Sequence, residues 1–486
     1  MPLGHVESVK GPDARGTVAP VRGRPLRLSI VAATFVVSRI VLVALGVRFD
    51  ISLMPWFWEV LDLHVLEHHL AQSVWYLHAE PPGFDLLIGL ALKLFPHHVS
   101  GAFHVLFLVL GLAAALALEI VLERLGFRPW LSVVLAVLIS CAPFWLVYEN
   151  WLYTEYIVMT LLIVGAFALT AFAREWRVGW GVAFFSILAA IVYTRSSFQL
   201  VWMLLVVACL CAVARDRWRT ILKAAALPLL VVVLLYAKNG IMFGSFTTSS
   251  WFGMDLARIT LWVAPQSEKQ KLVDEHKLSR IALIDPFSPL NRYKGIVTPP
   301  RPTGIPVLDR QAKYNGGVNL NDKAYLEISR MYLRQALLFI RYDPEGYARG
   351  VGKAAGKLSV PATDYSYVYP QRDKIRIWDQ VFNGVVYWRT PWFHRIGFGL
   401  VLMYVVTAIW GLLLFVRLAR RRAASAADAT TIFLWSTSVY LLLVGSLTDF
   451  GENERIHLPI DPLVLVLAAL VVRDVFRRVR QRSAGA

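Results

Sequence analysis

The chain has 486 residues, 57% of them hydrophobic, with a mean hydropathy of +0.54 and a formal net charge of +17. That composition is too apolar for a soluble globular protein. The excess Lys and Arg lies in short segments beside apolar runs, with no basic, aromatic-bearing soluble module, so it reads as membrane topology and excludes nucleic acid as a partner.

The apolar runs recur in blocks of roughly 17–22 residues, the length a helix needs to cross about 30 Å of hydrocarbon. Residues 1–28 are polar and basic. No small-residue cleavage site follows the first apolar run, so a retained cytoplasmic tail is expected rather than a signal peptide. The first span, 29–47, carries Arg39 at mid-depth, where a charge costs about 3 kcal/mol unless it is paired. An internal structural partner is expected for it.

A long outer loop follows, holding Asp50, Glu59, Asp62, Glu67 and Glu80. Its segment 53–76 mixes Trp and Leu with acids and histidines, and 82–95 is apolar but short. At about 1.5 Å per residue the latter reaches only some 20 Å, so both segments are expected to lie at the interface. His64 and His68 stand four apart, a spacing that suits a metal on a helix. They complete no zinc-hydrolase pattern, so interfacial histidines without metal are expected.

Six more spans, 101–121, 130–148, 156–173, 179–195, 198–214 and 220–238, complete a seven-span module over 29–238. Residues 239–395 are mostly polar and are expected as a small outer segment, with helical periodicity from Tyr325 to Ile340. Residues 396–486 hold the spans 396–416, 430–448 and 458–472 and a basic tail. With ten spans in this order, all the short basic segments fall on one side, which predicts an all-α polytopic membrane protein with both termini cytoplasmic. Cys141, Cys209 and Cys211 lie in or near spans, so no disulfide framework is expected.

The outer face then gathers the groups that carry chemistry. A catalytic base must be ionised and near the reacting oxygen; the acids are those of the first loop, Glu149 and Glu155 in Tyr148-Glu149-Asn150-Trp151-Leu152-Tyr153-Thr154-Glu155, and Asp449, Glu452, Glu454 and Asp461 in the last loop. Arg195, Lys238 and Arg455 end or flank spans on the same face and suit a phosphate. There is no phosphate loop, dinucleotide fingerprint or serine-nucleophile elbow, so a donor delivered within the membrane fits better than a soluble nucleotide. No cofactor is expected, and the sequence leaves a divalent metal open.

Three motifs resemble the GT-C superfamily of integral membrane glycosyltransferases, closest to the branch of protein O-mannosyltransferases and the lipid A aminoarabinose transferase. His78-Ala79-Glu80-Pro81-Pro82-Gly83-Phe84 is similar to the motif that ends the family's first loop. Tyr332 to Tyr347, with Phe339-Ile340-Arg341-Tyr342-Asp343-Pro344, resembles its amphipathic helix and turn. Glu454-Arg455-Ile456-His457-Leu458-Pro459-Ile460-Asp461-Pro462 resembles the stretch that opens its last span. The resemblance implies transfer of a sugar from a polyprenyl-phosphate donor to a glycan, lipid or protein acceptor on the outer face, with a first-loop acid as base. By position before Pro81-Pro82 that acid is Asp62, with Asp50 second. It also places His78, Glu80, Glu149, Glu155 and His457 near the donor or acceptor. Relatives more often carry Lys or Gln where this chain has Glu80, which leaves the phosphate to Arg195, Lys238 or Arg455. The main alternative is a transporter or flippase of lipid-linked sugars. Only Arg39 sits at mid-depth and no inverted repeat shows, which speaks against it.

Overall fold

A computed structural model describes residues 23–389, 396–421 and 424–484. Most of the expected basic tail 1–28 lies outside the described residues. Among those described the fold is all helix, with three isolated bridges and no strand. In chain order the first eleven helices are α1 Arg24–Ala44, α2 Leu63–Trp75, α3 Pro82–Leu94, α4 Val99–Arg124, α5 Pro129–Ser140, α6 Pro143–Glu149, α7 Thr154–Glu175, α8 Val178–Thr194, α9 Leu200–Val213, α10 Trp218–Phe243 and α11 Phe252–Ala257. The chain continues through helices Ala324–Tyr342, Pro344–Leu358 and Arg376–Val386. Helices Phe398–Arg421, Ala426–Leu447 and Asp461–Ala484 close the chain.

All ten expected spans are helical, but they are not ten equal crossings. Among the described residues seven helices are long and apolar enough to cross a membrane, which makes this a multi-pass membrane protein. The expected single span 130–148 is instead the bent pair α5 and α6, turned by 53°. Pro143 is the cause: its ring disfavours helical backbone at Ala142, which is extended at φ −63° and ψ 145°. Helices α8 and α9 have 17 and 14 residues, about 25 and 21 Å at 1.5 Å per residue.

The bundle has two chemically distinct ends. At one, Arg24 and Arg27 of α1 meet Glu119 and Glu123 of α4 at 2.6–3.1 Å, and Arg473 donates to the Leu125 carbonyl. At the other, Phe49 stacks on His104 at 5.3 Å, and Asp50 pairs through its backbone with Asn150 and Leu152. The segment after α10 covers this second end: Lys374 Nζ donates to the Gly46 carbonyl at 2.6 Å, and the Tyr148 hydroxyl to the Ala362 carbonyl at 3.0 Å. Trp378 Nε1 donates to the Cys141 carbonyl at 2.7 Å, satisfying a group that the break before Pro143 frees. Arg39 finds the internal partner its depth demands. Glu149 accepts from its Nε and Nη2 at 2.8 Å each, and the Phe35 ring lies 3.6 Å from the guanidinium.

Candidate functional site

The site forms where α7 begins, α8 ends and the last loop returns. Tyr153 and Thr154 open α7, so Glu155 falls in its first turn, where a carboxylate suits the helix dipole. Arg195 caps the end of α8. Pro82 starts α3, a favoured first helical position, and Gly83 lets α3 lie against the end of α8. A Cβ there would meet the Tyr193 carbonyl oxygen at 2.5 Å. That close approach sets Glu80 beside Ser196, whose hydroxyl donates to it at 3.1 Å.

Arg455 is the hub, 3% exposed. It donates to Glu155 Oε1 at 2.6 Å, to Glu59 Oε1 at 2.9 Å and to Glu452 Oε2 from Nε at 3.0 Å, and its guanidinium lies 4.3 Å from the Tyr153 ring. Arg195 reaches the same Glu155 oxygen at 3.1 Å and lies 3.8 Å from Glu59 Oε1. Fork-shaped guanidinium groups suit such sharing of carboxylates.

Beside this network lies a cavity of about 620 Å³. Its polar wall presents three arginines, Arg195, Arg258 and Arg455, and five acids, Glu59, Glu80, Asp255, Asp449 and Glu452. Burial would raise Glu59, but Arg455 and Arg195 outweigh it and hold its carboxyl down at about 2. Burial wins at Glu80, pushing it up to about 8 despite Arg195, and raises Asp255 well above the carboxylate range with help from Asp449. Both shifts remove negative charge from the wall. Among the described residues Arg258 makes one ion pair, to Asp449 at 3.5 Å, and its guanidinium lies 5.5 Å from the Trp262 ring and 5.9 Å from the Phe287 ring. The lining also holds apolar and aromatic side chains, among them Val201 on α9, Tyr236 on α10, Val444 on Ala426–Leu447, and Phe246 and Phe252, of which Phe246 is 74% exposed.

The expected site residues divide sharply. Arg195, Arg455 and Glu155 come together, and Glu80 faces the cavity. Asp62 and Asp50 are not among its lining residues. Asp62 is the N-cap of α2, accepting from the His64 amide at 2.9 Å and from the Tyr314 amide; Asp50 accepts from the Ser52 amide at 2.8 Å. Lys238 is spent on the Trp75 and Leu77 carbonyls, 3.0 Å each. Glu149 belongs to Arg39. His457 is fully buried between Asp461 at 2.7 Å and the Val360 carbonyl at 2.8 Å. His78 holds Ser250 at 2.8 Å, and burial lowers it to about 3. Pro81 precedes α3 in extended backbone. Sequence reasoning missed Arg258, and it ranked Glu59 below Asp62.

The class defined by these elements is an all-α polytopic membrane protein with a charged cavity at one end of its helices. No protein-family model matches the sequence, and no curated protein matches it. Among solved structures the chain is similar to the archaeal oligosaccharyltransferase AglB from Archaeoglobus fulgidus, in complex with an inhibitory peptide and a dolichol-phosphate. The identity is 12% and the TM-score 0.42, over 96% of this chain and 52% of that one. The chain thus spans about half the length of that protein, and a score and identity this low do not assign it to a family.

Proposed function

We propose that this protein is a GT-C-like membrane glycosyltransferase that moves a sugar from a polyprenyl-phosphate donor to an acceptor at the outer face. The observation that supports this best is the mixed lining of the cavity, which joins three arginines to exposed apolar side chains such as Val201 and Phe246. A phosphate on an isoprenoid tail needs both at once. Arg258 and Arg195 would hold the phosphate, and Val201, Tyr236, Phe246 and Val444 would take the first isoprene units.

Glu59 is the proposed base in place of Asp62. Its carboxylate faces the cavity, whereas both oxygens of Asp62 accept backbone N–H bonds. As paired here, Arg195 and Arg455 hold Glu59 too tightly for a good base. A bound phosphate draws on the same arginines, weakens that hold and raises Glu59 toward useful basicity. The acceptor hydroxyl proton then passes to Glu59 as its oxygen attacks the anomeric carbon and the polyprenyl phosphate leaves. Positioned guanidinium groups stabilise the charge on the leaving phosphate, an effect of about 3 kcal/mol per donor group.

The test is a labelled polyprenyl-phosphate sugar given to purified, reconstituted protein. Label should leave the carrier, and Glu59→Gln should slow that loss by about 100-fold or more, with Asp62→Asn far less affected at equal folded content. Carrier crossing the bilayer with its sugar intact would favour the flippase reading instead. Near-normal turnover by Glu59→Gln would remove Glu59 as the base.

A further inference from the structure

Lys313, Tyr314 and Asn315 are consecutive residues of a tight turn in the outer segment. The Lys313 amide donates to the Gly317 carbonyl at 2.8 Å and the Gly316 amide to the Lys313 carbonyl at 3.0 Å. Gly316 has φ +87°, a conformation glycine takes without a Cβ clash. All three residues reach across some 250 positions to the first outer loop. Lys313 Nζ donates to the Phe57 carbonyl at 2.6 Å, Asn315 Nδ2 to the Pro55 carbonyl at 2.8 Å, and the Tyr314 amide to the Asp62 carboxylate. From beneath, Asp85 Oδ1 accepts from the Leu61 amide at 2.8 Å. Contacts at residues 55, 57, 61 and 62 therefore bracket Glu59 on both sides. The turn is itself braced by a column of flat groups: the Arg310 guanidinium lies 3.6 Å from the Tyr314 ring, which lies 4.1 Å from His64, and His64 lies 4.3 Å from His68.

The segment between Trp56 and Leu63 forms no helix or strand, and its own backbone closes a single turn around Glu59, the Val60 amide donating to the Phe57 carbonyl at 3.3 Å. Lys313 is 6% exposed. Burying an ammonium is costly, and this one makes its hydrogen bond to a backbone oxygen two residues before the cavity carboxylate. We propose that Lys313 and Asn315 are positioning residues, a clasp from the outer segment that holds the Glu59 carboxylate against Arg195 and Arg455. Its catalytic consequence rests on the transferase reading above; the clasp itself does not. A displacement of about 1 Å at a reacting group costs on the order of 100-fold in rate, so losing the clasp should lower turnover without removing any group that touches substrate.

The experiment uses the full chain in lipid nanodiscs with Lys313→Met, Asn315→Ala and Lys313→Arg. Two readouts are taken: amide hydrogen exchange over residues 56–62, and kcat and KM with a labelled polyprenyl-phosphate sugar. Exchange over 56–62 should rise about tenfold or more in Lys313→Met and Asn315→Ala while α1, α7 and Asp461–Ala484 stay as in the parent. The kcat should fall about 10–100-fold with KM for the donor within about twofold, and Lys313→Arg should recover most of it. Unchanged exchange in both variants overturns the clasp, and raised exchange with full kcat overturns its role in positioning Glu59 for transfer. Should Lys313→Met fail to fold, the exposed Asn315→Ala decides alone. A parent protein without transfer activity sinks the transferase reading, while the exchange readout still decides the clasp.

Discussion

Glu59 and Arg455 are separated by 396 positions and meet at 2.9 Å, and most of the residue-scale lesson follows from that distance. A single sequence marks both as charged groups near span ends, but it cannot say that they touch. Asp62 was the more tempting acid, yet its real task was written locally. An Asp just before a helical run is an N-cap signature, and α2 begins at Leu63. Arg258 carried no comparable mark within a polar segment full of arginines. Glu80 gives the prediction that belongs to this scale. With its carboxyl near 8, it is mostly neutral below that value and ionises as pH rises through it, placing a new negative charge beside Arg195 against the donor phosphate. Transfer activity should therefore fall above about pH 8, and Glu80→Gln, neutral at every pH, should keep its neutral-pH rate and lose that alkaline decline. A pH–rate profile of parent and variant checks this; an unaltered alkaline limb in Glu80→Gln would assign the limb to another group.

At the scale of elements, helix positions were legible because length and apolarity are local properties. The break at Pro143 overturns the single crossing expected over 130–148, although a proline inside a span carries a kink signal. What no local pattern gave is the device that secures the broken pair. Arg39 pins α1 to Glu149 at the end of α6, and the Tyr156 hydroxyl of α7 donates to the same carboxylate at 2.7 Å. Arg39→Met would strand Glu149 where it is wholly buried, at a cost of about 3–5 kcal/mol. The thermal midpoint in detergent should drop clearly, and adding Glu149→Gln to Arg39→Met should restore most of it. Equal midpoints for parent and Arg39→Met would mean the pair contributes nothing to the bundle.

At the scale of the whole molecule, the alternation of basic segments along the sequence corresponds to the two ends of the bundle, one rich in arginine and one holding the cavity. The expected orientation puts the cavity outside the cell. A cysteine placed at exposed Asn315, in a chain with Cys141, Cys209 and Cys211 replaced, should react with an impermeant maleimide added to intact cells, and one at Arg477 should react only after lysis. The reverse pattern would invert the protein and move its chemistry to the cytoplasm.

The bond from Trp378 to the Cys141 carbonyl carries a meaning for biosynthesis. The N-terminal helices leave the ribosome long before residue 378 is made, so the Cys141 carbonyl at the α5–α6 break must take water or another donor until Trp378 docks. Maturation is thus ordered in time: insertion of these helices first, then sealing by the later segment. A chain stopped after its seventh apolar run would wait in the membrane unfinished.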